Sequence, residues 1–276
     1  MARPLADADL DRLARARPLV LLFDIDGTLA PIVAHPDDAR IPDDTRRILT
    51  TLAAAPGVHV GFVTGRSVAS AREMIDVPGA SVSGNHGAES SDGAGRVTAH
   101  PDVAAFVPAL REAMDRLRPA LAHVPGVLIE DKTLSASVHY RQVARDRVPE
   151  VTAIVDDVAG RLGLVRRNGK EVLELRAPVA VDKGTAVRAL AARLGAGDPD
   201  AITLFAGDDV TDEDAFVTLR KDVGRSCTIR VGEPDVPTAA RFVVPDPAAL
   251  RDALARIVER RAETATGERP QSDTPP

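Results

Sequence analysis

The chain has 276 residues, 44% of them apolar and 3% aromatic, with no Trp and one Tyr. Its 41 acidic residues against 35 basic ones leave a net charge of −6. That balance excludes a general binder of nucleic acid or of anionic membrane, whose footprint would be basic. Ala, Val and Leu must fill the core. The single cysteine, Cys227, can form no internal disulfide, so no oxidising compartment is required. No apolar run approaches the roughly 18 residues that span a bilayer. The first stretch, MARPLADADLDRLARARP, mixes acids and bases, unlike a secretory leader. A cytoplasmic protein is expected.

Residues 1–17 read as an amphipathic or frayed lead-in that Pro18 stops. Leu19–Phe23 is a continuous apolar run ending in Asp24, which suits a parallel strand covered on both faces. Thr45–Leu52 is helical by spacing, His59–Thr64 is a second strand, Ser67–Ile75 a helix and Ala80–Ser83 a third strand. Strands alternating with helices predict an α/β fold with a parallel, Rossmann-like sheet.

The pattern changes near residue 101. Val103, Phe106, Val107, Leu110, Met114 and Leu117 recur at helical spacing, with Pro108 marking a kink or a start. VLIEDK (127–132) and LSASVHY (134–140) follow, the second alternating apolar and polar. Val148, Val151, Val155, Val158 and Leu162 mark another helix. LGLVRRNG and KEVLELR predict a hairpin turning at Asn168-Gly169. The parallel signature resumes with a helix stripe at Val187, Leu190 and Leu194, strands at 202–206, 227–231 and 241–244, and a closing helix from Leu250. Residues 1–101 and 178–264 therefore form an α/β core. Residues 102–177 form an inserted α+β unit, and the polar, Pro-rich 265–276 reads as a disordered tail.

Four strand or helix ends carry chemistry. Asp24-Ile25-Asp26-Gly27-Thr28 closes the first strand, where ligand sites of open α/β sheets gather. Period two aims both carboxylates one way. Two carboxylates so close need a cation or a proton between them. One suits a nucleophile and the other a proton donor, although DxD alone equally serves as a turn cap. Thr64-Gly65-Arg66 ends the second strand, with a hydroxyl and backbone N–H groups suited to phosphate. Lys183 stands at a helix start, where its charge opposes the macrodipole and hints at a waiting anionic ligand. Gly207-Asp208-Asp209-Val210-Thr211-Asp212-Glu213-Asp214 ends a buried strand and offers the oxygen ligands that Mg²⁺ takes. Glu213 and Asp214 fit an ordinary acid-rich helix start.

In this order, DIDGT, Thr64, Lys183 and GDDVTDED resemble the four motifs of the haloacid-dehalogenase superfamily, and the insertion resembles its large α/β cap. More narrowly, FDIDGTLAPI, VTGRS, SGNHGAE, EDKTLSASVHYR, DKGTAV and GDDVTDEDAF are similar to the trehalose-6-phosphate phosphatase branch, over about residues 19–245. The resemblance implies an Mg²⁺-dependent hydrolysis of trehalose 6-phosphate. Asp24 would be the nucleophile and Asp26 the acid and base. Thr64 and Lys183 would hold phosphate oxygens. Mg²⁺ would be held by Asp24, the Asp26 carbonyl and Asp208, with Asp209 and Asp212 touching it directly or through water. It also implies cap movement about hinges near 100–103 and 176–180, and a separate trehalose-phosphate synthase as a functional pair.

The inserted unit is expected to choose the sugar. Glu130 and Lys132 share one strand face, Ser137 and His139 the polar face of the next, and Arg166 and Asn168 a hairpin face. Glu130, Lys132, Asn168 and Lys170 are the expected sugar contacts, with Gly65 and Arg66 near the phosphate. His86 and Glu89 follow a core strand and are placed to reach the sugar. Glu174 orients Lys183 or Arg176, or is a surface charge. Sucrose phosphate and mannosyl-phosphoglycerate are alternative substrates. A sugar-phosphate sensor without turnover is a further alternative.

Overall fold

The computed structural model describes residues 2–33, 35, 38–222 and 224–267. It opens with a short strand, β1 (Arg3–Pro4), and a helix, α1 (Asp7–Arg15), which buries Leu10, Leu13 and Ala14. The lead-in is thus a packed amphipathic helix. Then come β2 (Leu19–Phe23), α2 (Asp43–Ala54), β3 (Val58–Val63), α3 (Val68–Ile75) and β4 (Ser81–Gly84). Two strands without apolar alternation follow, β5 (Glu89–Ser91) and β6 (Val97–Ala99), and the sequence pattern gave no sign of them.

The smaller unit comprises α4 (Pro101–Ala104), α5 (Val107–Leu121), β7 (Leu128–Asp131), β8 (Ser135–His139), α6 (Val148–Leu162), β9 (Val165–Gly169) and β10 (Val172–Arg176). Pro108 lies in the first turn of α5, where its missing N–H costs nothing. The chain finishes with α7 (Lys183–Arg193), β11 (Ile202–Gly207), α8 (Glu213–Arg220), β12 (Ser226–Val231), β13 (Phe242–Val244) and α9 (Pro247–Gly267). Helix α9 runs three residues into the segment expected to be disordered, and the remainder of that segment lies outside the described residues.

The larger sheet has the order β1-β13-β12-β11-β2-β3-β4-β5-β6, parallel from β1 to β4 and antiparallel beyond. Every residue of β2 is buried, as a parallel strand covered on both faces requires. One face packs Leu21, Phe23, Phe62 and Leu204 with α1, α2, α3 and α9. The other packs Val20, Leu22 and Phe205 with Val187 and Phe216. The chain leaves β2 toward β3 on one side and returns to β11 on the other. The strand order therefore reverses at β2, the position where open α/β sheets form a crevice.

The smaller sheet runs β7-β8-β10-β9, antiparallel throughout. Ile129, Val138 and Leu173 pack on α5 and α6, which turns their neighbours toward the larger unit. The hairpin turns at Lys170-Glu171, two residues beyond Asn168-Gly169, because Asn168 pairs with Leu173 and Gly169 with Val172. The apolar register of β10 outweighs the Asn-Gly turn preference here.

Arg261 anchors α9. Its buried guanidinium donates to the carbonyls of Ala14 (2.9 Å), Ala16 (3.0 Å) and Pro56 (2.9 Å). Arg261→Met strands these acceptors and is expected to cost about 3 kcal/mol, a fall of roughly 8 °C in Tm by calorimetry.

Candidate active site

The carboxyl ends of β11, β2 and β3 lie side by side, and each presents one of the expected groups. Asp24 leaves β2 with its N–H on the Ala206 carbonyl (2.9 Å). The chain then turns back at Gly27, with φ 86° and its N–H on the Ala30 carbonyl (2.7 Å). A Cβ at Gly27 would lie 2.1 Å from Asp208 Oδ2, so both conformation and approach demand glycine. Thr28 Oγ1 donates to Asp208 Oδ1 (3.3 Å), which ties the β2 loop to the β11 loop.

Lys183 is the first residue of α7, behind an Asp182 N-cap whose carboxylate accepts from Thr185 N. Its Nζ donates to Asp24 Oδ1 (2.9 Å) and Asp212 Oδ1 (2.7 Å), and all three side chains are buried. The sequence position hinted at an anionic ligand; the partners that Lys183 has here are the chain's own carboxylates. Burial works against the Lys183 charge, but Asp212 and Asp24 outweigh it and raise its pKa. Burial raises Asp24, with Asp212, Asp208 and Asp26 adding and Lys183 opposing. Burial and Asp212 push Asp208 up to about 7. Carboxylate oxygens of Asp24, Asp208 and Asp212 lie within 4.8 Å of one another. Three carboxylates around one ammonium leave an excess of negative charge on hard oxygens. That donor set fits a divalent cation such as Mg²⁺.

At the end of β3, Thr64 is buried and its Oγ1 accepts from Arg66 N (3.1 Å). Arg66 lines the cavity, but its guanidinium grips Asp26 through two bonds of 2.7 Å, backed by Ser70 Oγ (3.2 Å). Arg66 thus holds an expected catalytic carboxylate in addition to facing the expected substrate.

The two units enclose a cavity of about 380 Å³, with Asp24, Asp26, Thr64 and Lys183 at its base. Glu130, Lys132, His139 and Glu174 face it from the smaller sheet. Lys132 Nζ donates to the Gly65 carbonyl (3.0 Å) and lies 3.5 Å from Glu174 and 3.8 Å from Glu130. Glu174 also meets Arg176 and, at 3.3 Å, His86 Nε2. Burial opposes the Glu174 charge, but His86, Lys132 and Arg176 outweigh it and hold its pKa well below the usual range. Lys170, at the hairpin turn, lines the cavity near enough to Asp208 to counter the upward shift of its pKa.

The remaining expected positions have partners of their own within the protein. Glu89 lies away from the cavity lining. Its Oε1 accepts from Val68 N (2.9 Å) and Asn85 Nδ2 (2.8 Å), so it braces the loop that carries His86. Asn168 reaches the rim, but its Oδ1 is taken by Arg166, which also pairs with Asp156 of α6. Strand alternation puts Arg166 and Asn168 on the helix side of the sheet. Asp209 caps the turn through Val210 N (2.7 Å) and stands outside the group of three carboxylates. Asp212 belongs to that group, yet its Oδ2 already accepts from the N–H groups of Asp208 (3.1 Å) and Asp209 (2.9 Å). Glu174 contacts Arg176 and not Lys183. Arg141, Gln142 and Glu171 line the mouth unforeseen, since they sit past strand ends with no periodicity to place them. Arg141 Nη1 crosses to the Val33 carbonyl (2.6 Å).

His86 has left-handed backbone (φ 54°) and a buried ring whose Nδ1 has no partner among the described residues. Burial lowers its pKa to about 4, so the imidazole is neutral at pH 7. The unfolded chain then binds the extra proton between about pH 6.5 and 4, and stability falls as pH drops through that window. His86→Asn, which suits the same backbone, removes this term. Between pH 7 and pH 5 the parent is expected to lose about 2 kcal/mol more than the variant in urea melts.

A core sheet reversing at a carboxylate-bearing strand, with a second α/β unit over that end, defines the haloacid-dehalogenase-like class. The fold matches a haloacid dehalogenase-like hydrolase from Bacteroides thetaiotaomicron at TM-score 0.60 and 14% identity, over 87% of this chain and all of that one. Residues 22–248 match the family profile Trehalose-phosphatase, and the chain belongs to that family. A trehalose-phosphate phosphatase of Mycobacterium avium is 38% identical over 255 residues, 91% of this chain. The chain spans 64% of the length of that relative. The crystal structure of a trehalose-6-phosphate phosphatase related protein superposes with TM-score 0.78 at 26% identity, over 89% of this chain and 99% of that one.

Proposed function

We propose that this protein is a divalent-cation-dependent phosphatase that hydrolyses trehalose 6-phosphate to trehalose and phosphate, with the smaller unit acting as a cap over the core. The observation that carries the reading is the meeting of Asp24, Lys183 and Asp208 beneath a cavity whose far side presents Glu130, Lys132 and Glu174. Asp24 attacks phosphorus in line, and the bond to the sugar oxygen breaks as an aspartyl-phosphate forms. Asp26 gives a proton to the departing hydroxyl and later takes one from the water that releases phosphate. Arg66 occupies both carboxylate oxygens of Asp26, so proton donation requires that pair to loosen as the substrate phosphate enters. Thr64 and Lys183 hold phosphate oxygens. Asp24, Asp208 and the Asp26 carbonyl would hold Mg²⁺, which when bound offsets charge on the phosphoryl group. Asp212 serves to orient Lys183 and the Asp208 loop. A disaccharide offers many hydroxyls, and the cap face supplies carboxylates and ammonium groups to meet them. The free, buried Cys227 fits a cytoplasmic setting. A separate synthase would supply the substrate.

A panel of phosphorylated sugars tests the reading. Trehalose 6-phosphate should release phosphate at least tenfold faster, by kcat/KM, than sucrose 6-phosphate or mannosyl-phosphoglycerate. EDTA should abolish turnover and Mg²⁺ restore it. Asp24→Asn should cut kcat by at least a thousandfold with its circular dichroism spectrum unchanged. Binding of trehalose 6-phosphate without phosphate release in Mg²⁺ would establish a sensor instead.

A further inference from the structure

Strands β7 and β8 pair Leu128 with His139 and Glu130 with Ser137, so Glu130 and His139 are diagonal neighbours on the face turned to the core. His139 Nε2 lies 2.9 Å from Glu130 Oε2, and Lys132 Nζ lies 3.8 Å from the same oxygen. Among the described residues, Glu130 Oε1 accepts no hydrogen bond. Both side chains line the cavity and are about a quarter to a third exposed, 23% for His139 and 34% for Glu130. One carboxylate oxygen is therefore tied inside the protein, and the other is left for a ligand. The terminal torsion of Glu is soft, so without the tie the carboxylate would sample several directions across the cavity.

We propose that His139 is a positioning residue for substrate selection: its Nε2–H fixes the Glu130 carboxylate so that Oε1 accepts from the hydroxyls of the sugar. The inference rests on the sugar-phosphate reading above. It requires the Nε2–H tautomer, since an ionised carboxylate only accepts. It assigns His139 to ground-state sugar binding through preorganisation and gives it no part at phosphorus. The same-face neighbour Leu128 carries no donor, and among the described residues Ser137 Oγ has no partner, so neither of them secures Glu130.

The test uses the full chain with Mg²⁺ and two substrates, trehalose 6-phosphate and p-nitrophenyl phosphate, which has no sugar hydroxyls. His139→Leu should raise KM for trehalose 6-phosphate about tenfold, equivalent to about 1.4 kcal/mol, and change kcat less than twofold. Turnover of p-nitrophenyl phosphate should stay within twofold. His139→Gln places an amide N–H where Nε2 stood and should recover most of the loss. In a Glu130→Ala background, His139→Leu should add nothing further. An equal KM loss in that background would overturn the proposal, because the imidazole would then be acting on its own. Failure of the Gln variant to recover binding would overturn it, as would a matching loss with p-nitrophenyl phosphate. Failure of the broader reading looks different: the parent itself would leave trehalose 6-phosphate intact. The comparison would then run on the sugar phosphate that the panel identifies, with the same three outcomes deciding.

Discussion

The Lys183 ammonium, buried between the Asp24 and Asp212 carboxylates, is the contact on which the site depends. It joins three segments that are 159 and 29 residues apart in sequence. Removing Lys183 would leave the buried carboxylates uncompensated, which costs several kcal/mol. The same contact sets the electrostatics. One ammonium cannot neutralise Asp24, Asp208 and Asp212, and the surplus negative charge makes the hollow suited to a hard cation. Asp212 spends its other oxygen on the Asp208 and Asp209 amides, so the β11 loop is held by the residue that holds Lys183.

The cap is tied to the core across the cavity by ion pairs and main-chain acceptors. Lys132 reaches the Gly65 carbonyl, Arg141 reaches the Val33 carbonyl, and His86 faces Glu174. The hydrophobic clusters, in contrast, stay largely within the core or within the cap, and a small one at Ala88, Val103, Leu134 and Ala177 lies where the chain passes between them. Apolar contacts thus hold each unit together, and polar ones join the two across the cavity.

Much of this was legible in the chain. The apolar runs at Leu19–Phe23 and Ile202–Ala206 fall where the strands are, since a buried parallel strand has few other ways to be written. The charged groups that end them landed at one point, because strand ends of a parallel sheet share an edge. Reading failed where local signals competed with register. The Asn168-Gly169 pair resembles a turn, yet Leu173 and Leu175 must face the cap helices, and burial moved the turn to Lys170-Glu171. Glu89 has the charge and spacing of a ligand, but its bonds to Val68 and Asn85 make it a brace.

The sequence by itself determined which chemistry is available: two aspartates on a strand end, a lysine at a helix start and an acidic loop after a buried strand. Those are properties of residue type and local period. Only the tertiary structure decided which of these groups work as partners. It gave Arg66 to Asp26, Asp212 to Lys183 and His139 to Glu130, pairings across separate strands and loops that depend on where the sheet brings them together. Charge and hydrogen-bond energies fall off within a few ångströms, so a pairing is settled by distance, and distance between remote residues exists only in the folded chain.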